Sequence, residues 1–405
     1  MTFTLQGARV ILADDAVETT VTVSNGQIVD IGGQVQGSVI DAQGLTLAPA
    51  MIDVHGDAFE RQVMPRPGVY FPLDTAVIDT DRQLASNGIA TAYHAITLSW
   101  EPGLREVTRG QDLIAALTQL ASRLTVENRV QLRWETFAFE AIPVIEKALK
   151  GPLLPSIAFN DHTSMMMRAF DVAIQDRAFE FSPHFTTAAL DDPRMSLRTS
   201  TRTKRAGLTH EDYMALFGKI WSRRPEVPDQ IAHVAALGRA AGAPMLSHDD
   251  TRAETRAFFR GHGACVAEFP MVMEAALAAR DQGDPIIFGA PNAARGGSHI
   301  GSLSAADMVE DGLCDALASD YFYPAMMTAI ARLAGEKRAA LTELWSLVSS
   351  GPARAMGLND RGRIALGQRA DLVLLDWPDD GAPSVVTTWV AGRTAYYAKP
   401  ISGPH

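Results

Sequence analysis

Six side chains able to bind a metal ion follow, one after another, short apolar runs along this chain. His55 and Asp57 come after residues 47–54, Glu135 after 130–134, and His162 after 153–160. His248 comes after 243–247 and Asp320 after 312–319. Each alone has an ordinary reading: a salt-linked pair for His55 and Asp57, an ion pair with Arg133 for Glu135, a satisfied histidine for the rest. Six such placements at strand ends are a different matter, because an α/β barrel presents its chemistry at the carboxyl ends of its strands. Imidazoles with carboxylates make a nitrogen and oxygen donor set, suited to Zn²⁺, Mn²⁺ or Fe²⁺ rather than Ca²⁺. The expectation is one or two divalent ions, zinc first. Such an ion would lower the pKa of a bound water toward neutrality. Asp320, last in the series, could then accept a proton and pass it to a leaving group.

The elements that must position these groups show as two textures. Residues 1–46 alternate polar and apolar with turn signals such as Asn25-Gly26 and Gly32-Gly33, and the same texture returns beyond residue 356. Residues 1–49 with 356–405 are therefore expected to form one small β-sandwich from both chain ends. Residues 50–355 alternate apolar runs with amphipathic stretches, the rhythm of βα units. Eight runs can be counted, at 47–54, 89–96, 130–136, 154–161, 243–247, 264–269, 285–290 and 314–319. The predicted fold is α/β: a (β/α)8 TIM barrel, metal-dependent, with a long insertion at 163–225. Within that insertion Thr209 and Asp212 predict the N-terminus of a helix running to Trp221.

Composition narrows the partners. The 405 residues carry a formal net charge of −11, which argues against nucleic acid or an anionic membrane surface. A small-molecule substrate, and an anionic one at that, needs only local positive charge. No run approaches a membrane span or a signal peptide, and two cysteines, Cys265 and Cys314, fit a reducing cytoplasm, each read as a core residue. A homodimer is consistent with the barrel by fold analogy only.

Several residues bear on the substrate. Arg66, in Pro65-Arg66-Pro67, would stand near the mouth. Gly289-Ala290-Pro291-Asn292 leads into Arg295-Gly296-Gly297-Ser298-His299, where arginine, serine and free backbone N–H groups could cradle a phosphate. A tight turn has the same composition. Asp249 is a further candidate contact, Glu268 either that or a residue standing behind the metal ligands, and His94 a weaker one. Arg194, Arg198, Arg202, Lys204 and Arg205 form a basic run that either funnels an anion or is simply solvated.

Leu47-Ala48-Pro49-Ala50-Met51-Ile52-Asp53-Val54-His55 and Gly362-Arg363-Ile364…Gly367…Ala370-Asp371-Leu372-Val373 resemble the amidohydrolase superfamily. A narrower likeness rests on His55-x-Asp57, Pro65-Arg66-Pro67, Asp161-His162, Ser247-His248-Asp249-Asp250, Ala267-Glu268-Phe269-Pro270, Gly289-Ala290-Pro291-Asn292…Arg295-Gly296-Gly297-Ser298-His299 and Ser319-Asp320-Tyr321. These resemble the phosphonate-metabolism branch, the diphosphatases of α-D-ribose 1-methylphosphonate 5-triphosphate. The resemblance covers nearly the whole chain. It implies cleavage of a phosphoanhydride to a ribosyl 5-phosphate and diphosphate. It also implies His55, Asp57, Glu135, His162, His248 and Asp320 as the ligand set, with Glu135 in place of a bridging carboxylated lysine. One stretch departs: where the branch runs Pro-Gly-Gln-Arg-Gln after Asp-His, this chain reads Thr163-Ser164-Met165-Met166-Met167-Arg168. Arg168 could stand in for the missing arginine, while the methionines favour a less charged ligand. The alternative is an amidohydrolase or deaminase-type reaction on an amide or cyclic amide.

Overall fold

A change of hydrogen-bond partner between residues 50 and 51 divides the molecule. The N–H of Ala50 donates to Asp371 O at 2.9 Å, in the small domain, and the N–H of Met51 to Gly88 O at 2.9 Å, beneath the barrel. The apolar run at 47–54 is thus two strands. The computed structural model describes residues 2–297, 301, 303–378 and 381–398.

The amino end supplies β1 (Thr2–Ile11), β2 (Ala16–Ser24), β3 (Gln27–Ile31), β4 (Ser38–Asp41) and β5 (Thr46–Pro49). The barrel follows as β6 (Met51–Gly56), β7 (Ile89–Leu98), β8 (Glu127–Glu135), β9 (Ser156–Asn160), β10 (Met245–His248), β11 (Val266–Glu268), β12 (Ile286–Gly289) and β13 (Ala316–Ala318). The carboxyl end adds β14 (Leu372–Asp376), β15 (Ser384–Val390) and β16 (Arg393–Tyr397).

The small domain runs β16-β15-β14-β5-β1-β2-β3. One edge of β1 forks, since residues 3–6 pair with β4 and residues 9–10 with β5. Gly7 sits between, at φ +81°, where a Cβ would crowd the Gln43 backbone. Both chain ends fill its core, with Phe3, Leu5, Val21 and Ile28 beside Ile364, Leu372 and Trp389.

The barrel strands are all parallel, in the order β13-β12-β11-β10-β9-β8-β7-β6. β6 and β7 are buried at every position, as apolar strands covered on both faces must be. β13 meets β6 to close the ring, the N–H of Asp320 donating to His55 O at 2.8 Å and that of Asp57 to Asp320 O at 2.9 Å. Asp53 clamps this seam, accepting the Ser319 N–H at 2.9 Å and its hydroxyl at 2.5 Å. Gly56 stands at this seam because there is no room for a side chain. A Cβ there would lie 2.5 Å from Asp53 Oδ2.

The insertion at 163–225 has no named strand among the described residues; its longer helices are Met195–Ala206 and His210–Trp221. Thr209 caps the second, its hydroxyl accepting the Asp212 N–H at 3.1 Å. Met166 and Met167 pack with Met195, Tyr213 and Phe217 in a core of the insertion's own. The basic run lies at the start of and along the first helix, with Arg194, Lys204 and Arg205 exposed, as a solvated run would be, and Arg198 and Arg202 partly buried. Arg194 and Arg198 stack on Phe170, Arg198 also donates to the Met166 and Arg168 carbonyls, and Arg202 pairs with Glu101 at 2.9 Å. Arg202 docks the insertion on Glu101, while Arg194 and Arg198 brace it internally. Cys314 is buried, but Cys265 is exposed, against its reading as a core residue. Among the described residues no helix is long and apolar enough to cross a membrane.

Candidate metal centre

β8 shows how the barrel aims its side chains. Alternate residues of a strand face the same side, and Gln131, Arg133 and Glu135 all turn inward. Gln131 Nε2 donates to Glu268 Oε1 at 2.7 Å, and Arg133 Nε to Asn160 Oδ1 at 3.2 Å. Glu135 reaches the His162 ring, its Oε1 2.5 Å from Nδ1 and its Oε2 accepting the His162 N–H at 3.2 Å.

The three imidazoles are held alike. His55 Nδ1 lies 2.9 Å from Glu268 Oε1, and His248 Nδ1 lies 2.7 Å from Glu268 Oε2. An ionised carboxylate only accepts, so each Nδ1 carries the proton and each Nε2 keeps its lone pair. Arg133 Nη2, a donor only, lies 3.2 Å from His248 Nε2, which requires the same tautomer. Burial opposes the charge of Glu268, yet the His55 and His248 rings hold it well below the usual carboxylate range. Burial likewise opposes Glu135, and His162, Arg202 and Arg133 keep it at about 2.

The ring edges converge with acids. His55, Asp57 and Asp320 can bring one ligand atom each within 4.8 Å of one another, as can His162, His248 and Asp249. The His55 and His248 rings stack with centroids 5.6 Å apart. Asp249, expected to touch substrate, has Oδ2 3.8 Å from His162 Nε2 and 3.6 Å from His248 Nε2, so it belongs with the imidazoles. Asp57 Oδ2 also meets Arg105 at 3.2 Å and Arg133 at 3.4 Å. Asp320 is raised above the ordinary carboxylate value by burial and by the charge of Asp57. A cavity of about 210 Å³ opens above them, lined by Arg133, His248, Asp249, Asn292, Arg295 and Asp320 among others. Asp249, Phe269 and Asp320, each just past a barrel strand, have φ of 59°, 54° and 53°, and all three line this cavity. Such backbone strain gathers where side chains must be aimed.

The donors fit a divalent ion. They are nitrogen and oxygen atoms of hard to borderline character, and carboxylates already orient the rings as they do around protein-bound metals.

Several expectations need correcting. Glu268, expected either to stand behind the ligands or to touch substrate, does the first: it is 0% exposed and spans two imidazoles, leaving no surface for a substrate. Glu135 spends both oxygens on His162 and bridges nothing. Asn292 lines the cavity, but its amide ties down the neighbouring loop, bonding Leu303 O at 2.8 Å and the Ala305 N–H at 2.9 Å. The N–H groups of Gly296 and Gly297 are not free to cradle a phosphate, since both donate to Asn292 O. Arg295 is exposed at the cavity edge, Arg66 stands on an exposed turn away from its lining, and Ser298 and His299 lie outside the described residues. Arg168 donates to the Met165 and Val172 carbonyls, a local role. His94 points away from the barrel interior, its Nε2 2.7 Å from Asn128 and its ring among Phe59, Val63 and Leu113. What the sequence reading missed was Arg133 as part of the centre; the two-residue spacing Gln131-Arg133-Glu135 was the available signal.

Comparison with known proteins places this geometry. The model of an amidohydrolase family matches residues 198–396. An amidohydrolase from an environmental sample of the Sargasso Sea superposes with a TM-score of 0.63 at 15% identity, covering 100% of this chain and 95% of that one. An adenosine deaminase from Xanthomonas campestris with bound zinc gives 0.62 at 13%, covering 97% and 92%. At such identities the likeness is one of fold. With the family model and the residues above, it makes this chain similar to the amidohydrolase superfamily. More particularly, it is 29% identical over 389 residues to the α-D-ribose 1-methylphosphonate 5-triphosphate diphosphatase of Escherichia coli (strain K12), across 93% of this chain and 96% of the relative.

Proposed function

We propose that this protein is a metal-dependent hydrolase of phosphonate metabolism. Its substrate would be a ribose 5-triphosphate bearing a 1-methylphosphonate, cleaved to the 5-phosphate and diphosphate. The observation that carries the hydrolase reading is the convergence of three Nε2-presenting imidazoles with Asp57, Asp249 and Asp320 at the barrel mouth, where His248, Asp249 and Asp320 line one cavity. When bound there, a divalent cation (zinc first, manganese or iron as options) supplies Lewis-acid activation of water and of the scissile group. His55, Asp57 and Asp320 would hold it, or His162 and His248 with Asp249, with Glu135 behind His162.

The protein's own part is orientation and proton transfer. Glu268 and Glu135 fix the rings. Asp320, raised by burial and facing the cavity, is suited to take a proton from the attacking water and return it to the departing oxygen. Arg133 and Arg295 supply positive charge to an anionic substrate along the cavity wall. The extended relationship to the diphosphatase supports phosphorus over carbon as the centre attacked. Of the three methionines, Met166 and Met167 face the insertion's core, and Met165 alone stands beside His162, His248 and Asp249.

The test is a panel of ribose 5-triphosphates and N-acyl or cyclic amides on metal-loaded protein, reading diphosphate and amine release together. Diphosphate release that disappears in D320N is expected. Amine release without diphosphate would refute the assignment.

A further inference from the structure

Of three groups that could hold an ion, His55, His248 and Glu268 spend their facing atoms on one another, and the other two, at the barrel mouth, have lone pairs that are not equally free. In the group His162, His248 and Asp249, His248 Nε2 accepts from Arg133 Nη2 at 3.2 Å, so this atom is already engaged by a cation. In the group His55, Asp57 and Asp320, His55 Nε2 has no hydrogen-bond partner among the described residues, and Asp57 meets both Arg105, at 3.2 Å, and Arg133, at 3.4 Å, through the single oxygen Oδ2.

Arg133 is not a mobile side chain that happens to lie there. It is 8% exposed and rises from the middle of the inward face of β8. Its Nε is fixed on Asn160 Oδ1 at 3.2 Å, and Asn160 is fixed in turn through its amide nitrogen to Ala158 O at 3.0 Å. The guanidinium stays charged under all ordinary conditions. Through Nη1 and Nη2 it spans one member of each ligand group, Asp57 and His248. A divalent ion seated on His248 Nε2 would have to enter along the direction that a fixed cation already occupies, and the two would repel inside a poorly solvated cavity.

We infer that this centre holds one divalent ion, at His55, Asp57 and Asp320, and that the guanidinium of Arg133 takes the place of a second. The inference rests on the metal-dependent reading above and deepens it. It also gives His248 and Asp249 another job, as part of the cavity wall beside the positive charge of Arg133.

Metal counting tests this without recourse to turnover. Chelator-stripped protein is reloaded with Zn²⁺, desalted and measured by inductively coupled plasma mass spectrometry for wild type, R133K, R133M, H55A and H248A. One equivalent per chain is expected in wild type and in R133K, which keeps the charge. Two are expected in R133M, where a neutral side chain of similar length frees His248 Nε2. H55A should lose the single equivalent and H248A should keep it. Two equivalents in wild type would overturn the inference while leaving the hydrolase reading intact. One equivalent in R133M would remove Arg133 from the argument. No bound metal in wild type would instead refute the metal-dependent reading itself, and this inference with it. Should R133M fail to fold, the wild-type count together with H55A and H248A still decides.

Discussion

Replacing Glu268 by glutamine should weaken metal binding by about 10- to 100-fold without unfolding the protein, a range typical of groups that orient metal-bound imidazoles. The carboxylate accepts three hydrogen bonds, from His55 Nδ1 at 2.9 Å, His248 Nδ1 at 2.7 Å and Gln131 Nε2 at 2.7 Å. Glutamine is nearly the same shape but has a single acceptor oxygen. If that oxygen faces His55 and Gln131, the new amide N–H groups meet the Nδ1–H of His248, donor against donor. If the amide is turned, two bonds are lost instead of one. His248 cannot escape by moving its proton to Nε2, because Arg133 donates there at 3.2 Å. His55 keeps an acceptor in the first arrangement but loses the full negative charge that makes its ring a stronger donor to a metal. One charge-assisted hydrogen bond is worth about 1.5–3 kcal/mol net, and the affinity loss corresponds to about 1.4–2.7 kcal/mol. Competition for Zn²⁺ against a chromophoric chelator gives the affinity, and thermal unfolding of the stripped proteins separates folding from binding. An E268Q affinity within twofold of wild type would show that the shared carboxylate does not set the rings.

Three other perturbations bear on the frame around the site. Glu127, at the foot of β8, pairs with Arg369 and Arg361 of the carboxyl-terminal segment; burial opposes its charge, yet the two arginines hold it at about 2 against an ordinary 4.5. With the folded-state pKa depressed, its contribution of about 2–3 kcal/mol is complete above pH ~4.5 and fades as the pH falls toward 2. E127Q should flatten the acid limb of a stability–pH curve over that window, and an unchanged curve would contradict the assignment. G56A should cost about 1–3 kcal/mol by overpacking the barrel seam against Asp53, Ser319 and Tyr323, which urea denaturation would register. Y213F deletes the hydroxyl that donates to Glu101 Oε1 at 2.5 Å, beside the Arg202 pair, and should cost about 1.5–3 kcal/mol while exposing the insertion to limited proteolysis. A protease pattern and midpoint equal to wild type would refute that docking role.

Much of the barrel was legible because its strands are short apolar runs buried on both faces, and those runs show in composition alone. The first strand was misread for the same reason. Leu47 and Ala48 are as apolar as Ile52 and Val54, and only the switch of backbone partners at residues 50 and 51, a tertiary event, divides them. The metal-capable residues were legible as positions at strand ends. Their division into ring donors and ring holders was not, because Glu268 meets His55 across a separation of 213 residues. Asp249 and Asp320 carry left-handed backbone that aspartate only sometimes adopts, so their final aim had no local signal. The glycines after Arg295 looked like an anion cradle, yet their N–H groups close the end of a short helix. Composition cannot tell those two uses apart.

The way the acids are partnered also decides what metal removal should do. Buried carboxylates with no counter-charge would drive such a site apart once its ion was taken away. Here Glu268 lies between two imidazoles, Glu135 meets His162, and Asp57 faces Arg105 and Arg133. The seam of β6 and β13 is held by Asp53 and by main-chain bonds rather than by any ligand. Stripped protein should therefore unfold cooperatively, below the loaded protein by about 2.7 kcal/mol when free metal stands at 100 times its dissociation constant. That difference should grow with the logarithm of free metal, as a ligand binding to a preformed site requires. Differential scanning calorimetry across a Zn²⁺ series gives both the offset and the slope. If chelation instead abolished the cooperative transition, the ion would be a folding element, and the neutralisation argued for Glu268, Glu135 and Asp57 would be insufficient to hold the mouth of the barrel together.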